Sequence, residues 1–214
     1  MNKKLLSILS LVLFLSCNTH VSNEVVVYNN DFEAADLSNI TGGVISQYNG
    51  SAVLGQYNKG FFELTVNNLP KHDLIKISFD LYIHDTWDGN KQAPDGPDIW
   101  QMIVDGGMYI NTTFSNDPCT GDFCSPQSYP FDYPNNLHNP KTGAYRTDLP
   151  GVCSKQNIIG WTTQYKIVKT ITHANKTLIL QCLDKLVQSN GPSNQQKCDE
   201  SWSVDNINIQ AITL

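Results

Sequence analysis

The chain has little charge and almost no arginine. Asp, Glu, Lys and Arg make up 16% of its 214 residues, and Arg146 is the single arginine. With 14 basic against 20 acidic side chains, the net charge is −6. Neutralising a phosphate backbone takes clustered Lys and Arg, so nucleic acid is excluded as a partner. Helical periodicity is absent, which argues against a helical domain. Apart from an N-terminal apolar stretch, Leu5 to Leu15, too short to span a bilayer, nothing suggests a transmembrane helix. Catalytic and metal signatures are missing as well. There is no G-x-S-x-G, no CxxC, no D-x-D-x-D-G rhythm of an EF-hand, and no strand with the E-x-D-x-x-E pattern of jelly-roll glucanases. His20, His72, His84, His138 and His173 are scattered. His84, beside Asp85, is the one to watch as a catalytic base, and its plain reading is a surface strand residue.

What the chain does have is alternation. Glu24 to Glu33, Gly60 to Val66, Leu74 to His84, Ile99 to Val104, Gly107 to Phe114, Trp161 to Thr172, Thr177 to Leu183 and Trp202 to Ile212 read as strands. Gly42 to Tyr57 reads as a hairpin turning at Asn49-Gly50. Ser115 to Cys153, full of Pro, Asn, Asp and Tyr, lacks periodicity and reads as one long excursion tied down by cysteines. About nine or ten short strands separated by turn signals predict an all-β fold: a single jelly-roll-like antiparallel β-sandwich with a long disulfide-tied loop.

The N-terminus predicts export. Lys3-Lys4, the apolar stretch and Leu15-Ser16-Cys17 form a signal peptide over 1–16 of lipoprotein type, with Cys17 the lipidated residue, a linker over 17–23 and the domain over 24–214. The alternative is an ordinary secretory signal cut a few residues later. The expected location is the bacterial cell envelope, as an outer-membrane lipoprotein touching the membrane through its lipid only, or else secretion. Removing Lys3 and Lys4 leaves 12 basic residues against 20 acidic. Cys119, Cys124, Cys153, Cys182 and Cys198 are disulfide candidates, an odd number that leaves one thiol over. Cys119 with Cys124 would close a small loop and Cys182 with Cys198 the base of a longer one, leaving Cys153 free or displacing a member of the first pair.

Two acidic segments carry the chemistry. The loop after the Leu74–His84 strand holds Asp85, Asp88, Asn90, Asp95 and Asp98, and Asp199-Glu200 precedes the last strand. Carboxylates so dense repel one another unless solvent or a cation separates them, and calcium suits such an oxygen-rich set. Asp85, Asp88, Asn90, Asp98, Asp199 and Glu200 are therefore the expected ligands of a structural calcium; the bland reading is a solvated loop of turn-forming Asp and Asn. Trp100 and Trp202 fall on strand positions that face a core. Trp87 in the acidic loop, with Tyr129, Tyr133 and Tyr145, would form an exposed platform for sugar rings, and Arg146 would clamp a carboxylate or form a structural ion pair.

Phe79-Asp80-Leu81-Tyr82, Trp87-Asp88-Gly89-Asn90, Gly96-Pro97-Asp98, Thr113-Phe114-Ser115-Asn116, Gln127-Ser128-Tyr129-Pro130 and Asp199-Glu200-Ser201-Trp202-Ser203-Val204-Asp205-Asn206-Ile207 form a set. As a set they resemble a poorly characterised β-sandwich domain of exported bacterial proteins and multidomain eukaryotic surface proteins. That domain is broadly similar to concanavalin-like and carbohydrate-binding jelly rolls. The resemblance covers most of residues 25–212, and the insert from Asp117 to Ser125 departs from it. It implies a second calcium site at Asp31, Glu33 and Asp205, and a glycan or surface polymer as ligand. The leading expectation is a binding or adhesion module. The alternatives are a polysaccharide-active enzyme, glycosidase or lyase, and a non-binding structural lipoprotein of the envelope.

Overall fold

The computed structural model describes residues 21–117, 119, 124–187 and 195–214. The signal segment, Cys17 and most of the linker lie outside the described residues. Twelve strands are described: β1 (Asn23–Asn30), β2 (Ile40–Thr41), β3 (Ile45–Tyr48), β4 (Ser51–Tyr57), β5 (Phe61–Asn67), β6 (Leu74–Asp85), β7 (Ile99–Val104), β8 (Gly107–Thr113), β9 (Arg146–Pro150), β10 (Ile159–Thr172), β11 (Thr177–Lys185) and β12 (Glu200–Thr213). They form two antiparallel sheets. One has seven strands in the order β3-β4-β12-β6-β10-β9, with β1 also pairing with β12; the other runs β2-β5-β11-β7-β8. From β4 onward the chain crosses repeatedly between sheets, the jelly-roll connectivity expected. The expected hairpin forms at Asn49-Gly50 and another joins β7 to β8 at Asp105-Gly106, all four residues having positive φ. The short β2 and the edge strand β9 carry too little pattern to be read from sequence.

Alternation decides which side chains fill the space between the sheets. On β6, Ile75, Ile77, Phe79, Leu81 and Ile83 face inward and are buried; Leu178, Leu180 and Cys182 do the same on β11. On β12 the inward set shifts phase, from Trp202 and Val204 to Ile207, Ile209 and Ala211. A bulge between Asp205 and Asn208 absorbs the extra residue, with Asn206 in the left-handed region at φ 55°. Without it, the second half of β12 would turn its apolar face to water. Trp100 and Trp202 meet edge to face at 5.9 Å in the core. As expected for both, neither is accessible to solvent.

The outer face of the seven-stranded sheet is partly roofed. Tyr48, Val53, Tyr82 and Val152 pack together there, over His84. This corrects the surface reading of His84, which is fully buried and bonded to Thr162 Oγ1 at 3.0 Å and Ser203 Oγ at 2.8 Å. The roof is stapled by a disulfide between Cys153 and Cys198, while Cys119 pairs with Cys124. The pairing of Cys182 with Cys198 is thereby overturned. Cys182 alternates inward on β11 and is a buried free thiol, whereas Cys153 lies on the covering segment that passes beside the start of β12.

Candidate functional site

The motif residues converge at one end of the sandwich, where β6 ends and β7 and β12 begin. Trp87 folds back into the core and donates Nε1–H to Ser201 O at 2.9 Å. Asp88 N–H donates to Asp98 Oδ2 at 2.6 Å, and Asp98 N–H donates to Gly89 O at 3.0 Å, so the two ends of the loop are laced together. Gly89 makes this possible: φ is +59°, and a Cβ would sit 2.4 Å from Pro126 O. Glu200, the first residue of β12, pairs in register with Asp85. One carboxylate oxygen from each of Asp88, Asp98 and Glu200 consequently lies within 4.8 Å of the others. Asp98 is 0% and Glu200 2% exposed, and Glu200 Oε2 has no hydrogen-bond partner. Burial, then the charges of the neighbouring acids, pushes both carboxyls well above the usual carboxylate range. Lys91 Nζ stands at the outer rim, 3.1 Å from Asp88 Oδ2 and 3.5 Å from Asp95 Oδ2.

The other expected ligands are engaged elsewhere. Asp85 is buried against the roof, where its Oδ1 accepts from Val152 N–H at 3.3 Å and burial lifts its pKa to about 7. Asn90 Oδ1 accepts from Thr113 Oγ1 and Ser128 Oγ, and its Nδ2 donates to Asn136 O, so it pins the excursion. Asp199 Oδ1 accepts from Thr86 Oγ1 at 2.6 Å. Asp31, Glu33 and Asp205 do not form a three-ligand group among the described residues. Glu33 Oε1 accepts from Ser51 Oγ and Ala52 N–H, and Asp205 Oδ1 from Asn206 N–H. Burial, then the charges of Asp80, Glu33 and Asp31, raises Asp205 to about 6.

The excursion is held by motif side chains to which the sequence assigned no role. Gln127 Oε1 accepts from Ser115 N–H and Lys141 N–H, and its Nε2 donates to Tyr129 O and Thr142 O. Buried Asn116 donates to the carbonyls of Ile83, Asp85 and Trp161. Disulfides tie the excursion as expected, Cys119 with Cys124 locally and Cys153 with Cys198 at its end, and these polar side chains hold the stretch between them. The signal that could have found them is a Gln or Asn inside a motif otherwise made of strand and turn residues.

The expected platform is rearranged. Trp87 is fully buried and cannot stack on a ligand, because its ring fills the core between Phe114 and the start of β12. Tyr129 is half-buried beside Phe114 and Tyr165, and Tyr133 is half-buried beside β8. Tyr145 is 61% exposed, with Lys166 Nζ 4.6 Å above its ring. Arg146 is exposed and engaged with Asp148 at 3.0 Å. β9 pairs with β10 only as far as Gln164, so the outer edge of β10 is open beyond it. Between that edge and the edge strand β8 lies a groove of about 230 Å³ whose walls include Tyr109, Tyr129, Asp132, Lys166 and Val168. Exposed Tyr145 reaches it through Lys166, whose Nζ covers its ring, whereas the exposed ring of Phe131 stacks on His138.

No family model matches the chain, and no curated protein matches it. Solved structures do. A family 35 carbohydrate-binding module from Clostridium thermocellum matches at TM-score 0.36 and 11% identity, over 88% of this chain and 98% of that one. The module CBM6cm-2 of Cellvibrio mixtus lichenase 5A, solved with cellotriose, matches at TM-score 0.35 and 12% identity, over 86% and 97%. Latent PorU from Porphyromonas gingivalis matches at TM-score 0.40 and 7% identity, over 92% of this chain and 14% of that one. Carbohydrate-binding modules thus stand among the structural neighbours, at a similarity too low to transfer a ligand or a residue.

A glycosidase needs two carboxyl groups about 5–9.5 Å apart with the sugar between them. Asp98 and Glu200 are sealed from solvent, so no glycosidic oxygen reaches both. His84 and Ser203 form a hydrogen-bonded pair that is equally inaccessible.

Proposed function

We propose that this protein is a glycan-binding module of the bacterial cell envelope, held to the membrane by a lipid on Cys17. The observation that carries the glycan reading is the open groove between β8 and β10. Tyr109 on its wall, and exposed Tyr145 beside Lys166, offer rings of the kind that pack on the C–H faces of pyranoses, next to Asp132 and Lys166, an acceptor and a donor for hydroxyls. The calcium expected in the acidic loop has a structural part in this reading. It shares no residue with the groove and would hold the loop end of the sandwich.

Affinity electrophoresis of the purified protein through gels cast with envelope and plant polysaccharides tests the reading. At least one polysaccharide is expected to retard it. Tyr109→Ala and Tyr145→Ala should each weaken that retardation about tenfold, from loss of about 1–2 kcal/mol of ring contact, without lowering the melting temperature. Retardation by no polysaccharide, or retardation that both variants keep in full, sinks the proposal.

A further inference from the structure

We propose that Asp88, Asp98 and Glu200 form a binding site for one calcium ion that cross-links the two sheets. The inference stands on the carboxylate geometry and is independent of the glycan reading. It differs from the Asp31, Glu33 and Asp205 set that the family resemblance implies.

Three observations converge. First, one oxygen from each carboxylate lies within 4.8 Å of the others, the span open to atoms that each stand about 2.4 Å from a common ion. Second, Glu200 is almost wholly buried, and its Oε2 has no hydrogen-bond partner. A sealed, unpartnered carboxylate beside two others is costly, and either a proton or a cation relieves it. The nearest ammonium, Lys91, is taken up at the rim by Asp88 and Asp95. Third, the ligand set holds only carboxylates, with no histidine or cysteine, so it selects a hard ion over zinc or copper. Calcium accepts irregular carboxylate sets, whereas magnesium demands a near-ideal octahedron.

The placement gives the ion a task. Asp88 follows β6 and Glu200 opens β12, both in the seven-stranded sheet, while Asp98 immediately precedes β7 of the other. One ion would therefore join both sheets at the end where the long loops leave. Proton and cation compete for the same oxygens.

The test uses the purified protein, with thermal melts in calcium and in chelator, and terbium luminescence excited through Trp87, which adjoins Asp88. Calcium at about 100 times its dissociation constant is expected to raise the melting temperature by about 5–10 °C. Glu200→Gln, an uncharged match for a protonated Glu200, should melt in chelator at or above the wild-type temperature, which shows that it folds. It should lose both the calcium shift and the terbium signal. Asp88→Asn, at the half-exposed ligand, should weaken calcium at least tenfold. A wild-type protein that calcium does not shift overturns the proposal. So does a shift that Glu200→Gln and Asp88→Asn both retain, because the ion would then lie elsewhere.

Discussion

Asp85 shows how burial reverses the usual sign of a carboxylate's contribution. Its Oδ2 has no partner and its Oδ1 takes one long bond from Val152, so desolvation outweighs the help of Lys155 and lifts its pKa from 3.8 to about 7. The folded protein then holds a proton that the unfolded chain has released. The contribution of Asp85 to stability is complete below about pH 4 and is lost as pH rises through about 7. Asp85→Asn keeps an acceptor for Val152 and removes the ionisation, so it should raise the melting temperature at pH 8 by about 3–6 °C and leave it unchanged at pH 4. Calorimetry at the two pH values checks this; a lower melting temperature at pH 8 would mean that the ionised form is bound favourably. Asp184, buried to a similar depth, has partners for both oxygens. It accepts from Trp202 Nε1 and from the backbone N–H groups of Lys59, Gly60 and Leu186, and so binds the start of β5 to the end of β11. Sequence ranks neither acid above Asp88, because burial and partners belong to the fold.

Among the elements, the short stretch after β9 that carries Val152 and Cys153 depends most on covalent help. The roof over β6 rests on few apolar side chains, Val152 and Tyr48 chief among them, and is closed by the disulfide between Cys153 and Cys198, a separation of 45 residues. A cross-link over that length restricts the unfolded chain by about 3–4 kcal/mol. Changing both cysteines to serine should lower the stability measured by urea unfolding by that amount. It should also expose His84 and Asp85 to solvent, seen as faster amide exchange at the end of β6. Changing Cys119 and Cys124 instead closes no long loop and should cost less. An equal cost for the two pairs would contradict this account of the roof. The strands were readable because their apolar residues alternate. β9 was not, since only Leu149 of its five residues is buried and its pairing with β10 is broken by two register shifts.

At the scale of the molecule, the two ends of the sandwich are built differently. One carries the acidic cluster and the motif residues Asn90, Asn116 and Gln127. The other is closed by short turns, where His72 Nε2 meets His173 Nδ1 at 2.6 Å and His173 Nε2 meets Asp105 Oδ2 at 2.9 Å. Between the ends, along one open side, runs the groove proposed for glycan. If Cys17 carries a lipid, the whole domain is tethered by its N-terminal side, and Cys17→Ala should move the protein from the membrane fraction to the soluble fraction of cells. A protein that stays in the membrane fraction after that change would rule out the lipid as its anchor.

The two-sheet architecture was legible in the sequence because a period of two, broken by Asn-Gly and Asp-Gly turns, admits few other folds once helical periodicity is absent. So was the neighbourhood of the acidic site, since the density of Asp between Asp85 and Asp98 is a local property. Which acids meet was decided by tertiary structure alone. Asp88 and Asp98 come together because Gly89 permits a tight closure, and Glu200 joins them because β12 pairs beside β6. The same pairing sets Ser201 against Trp87 Nε1 and the start of β12 near Cys153, while the pairing of β10 with β6 brings His173 to His72, 101 residues away in the chain. Strand periodicity is carried by neighbours in the chain, whereas ligand sets, disulfides and burial depend on which strands lie side by side.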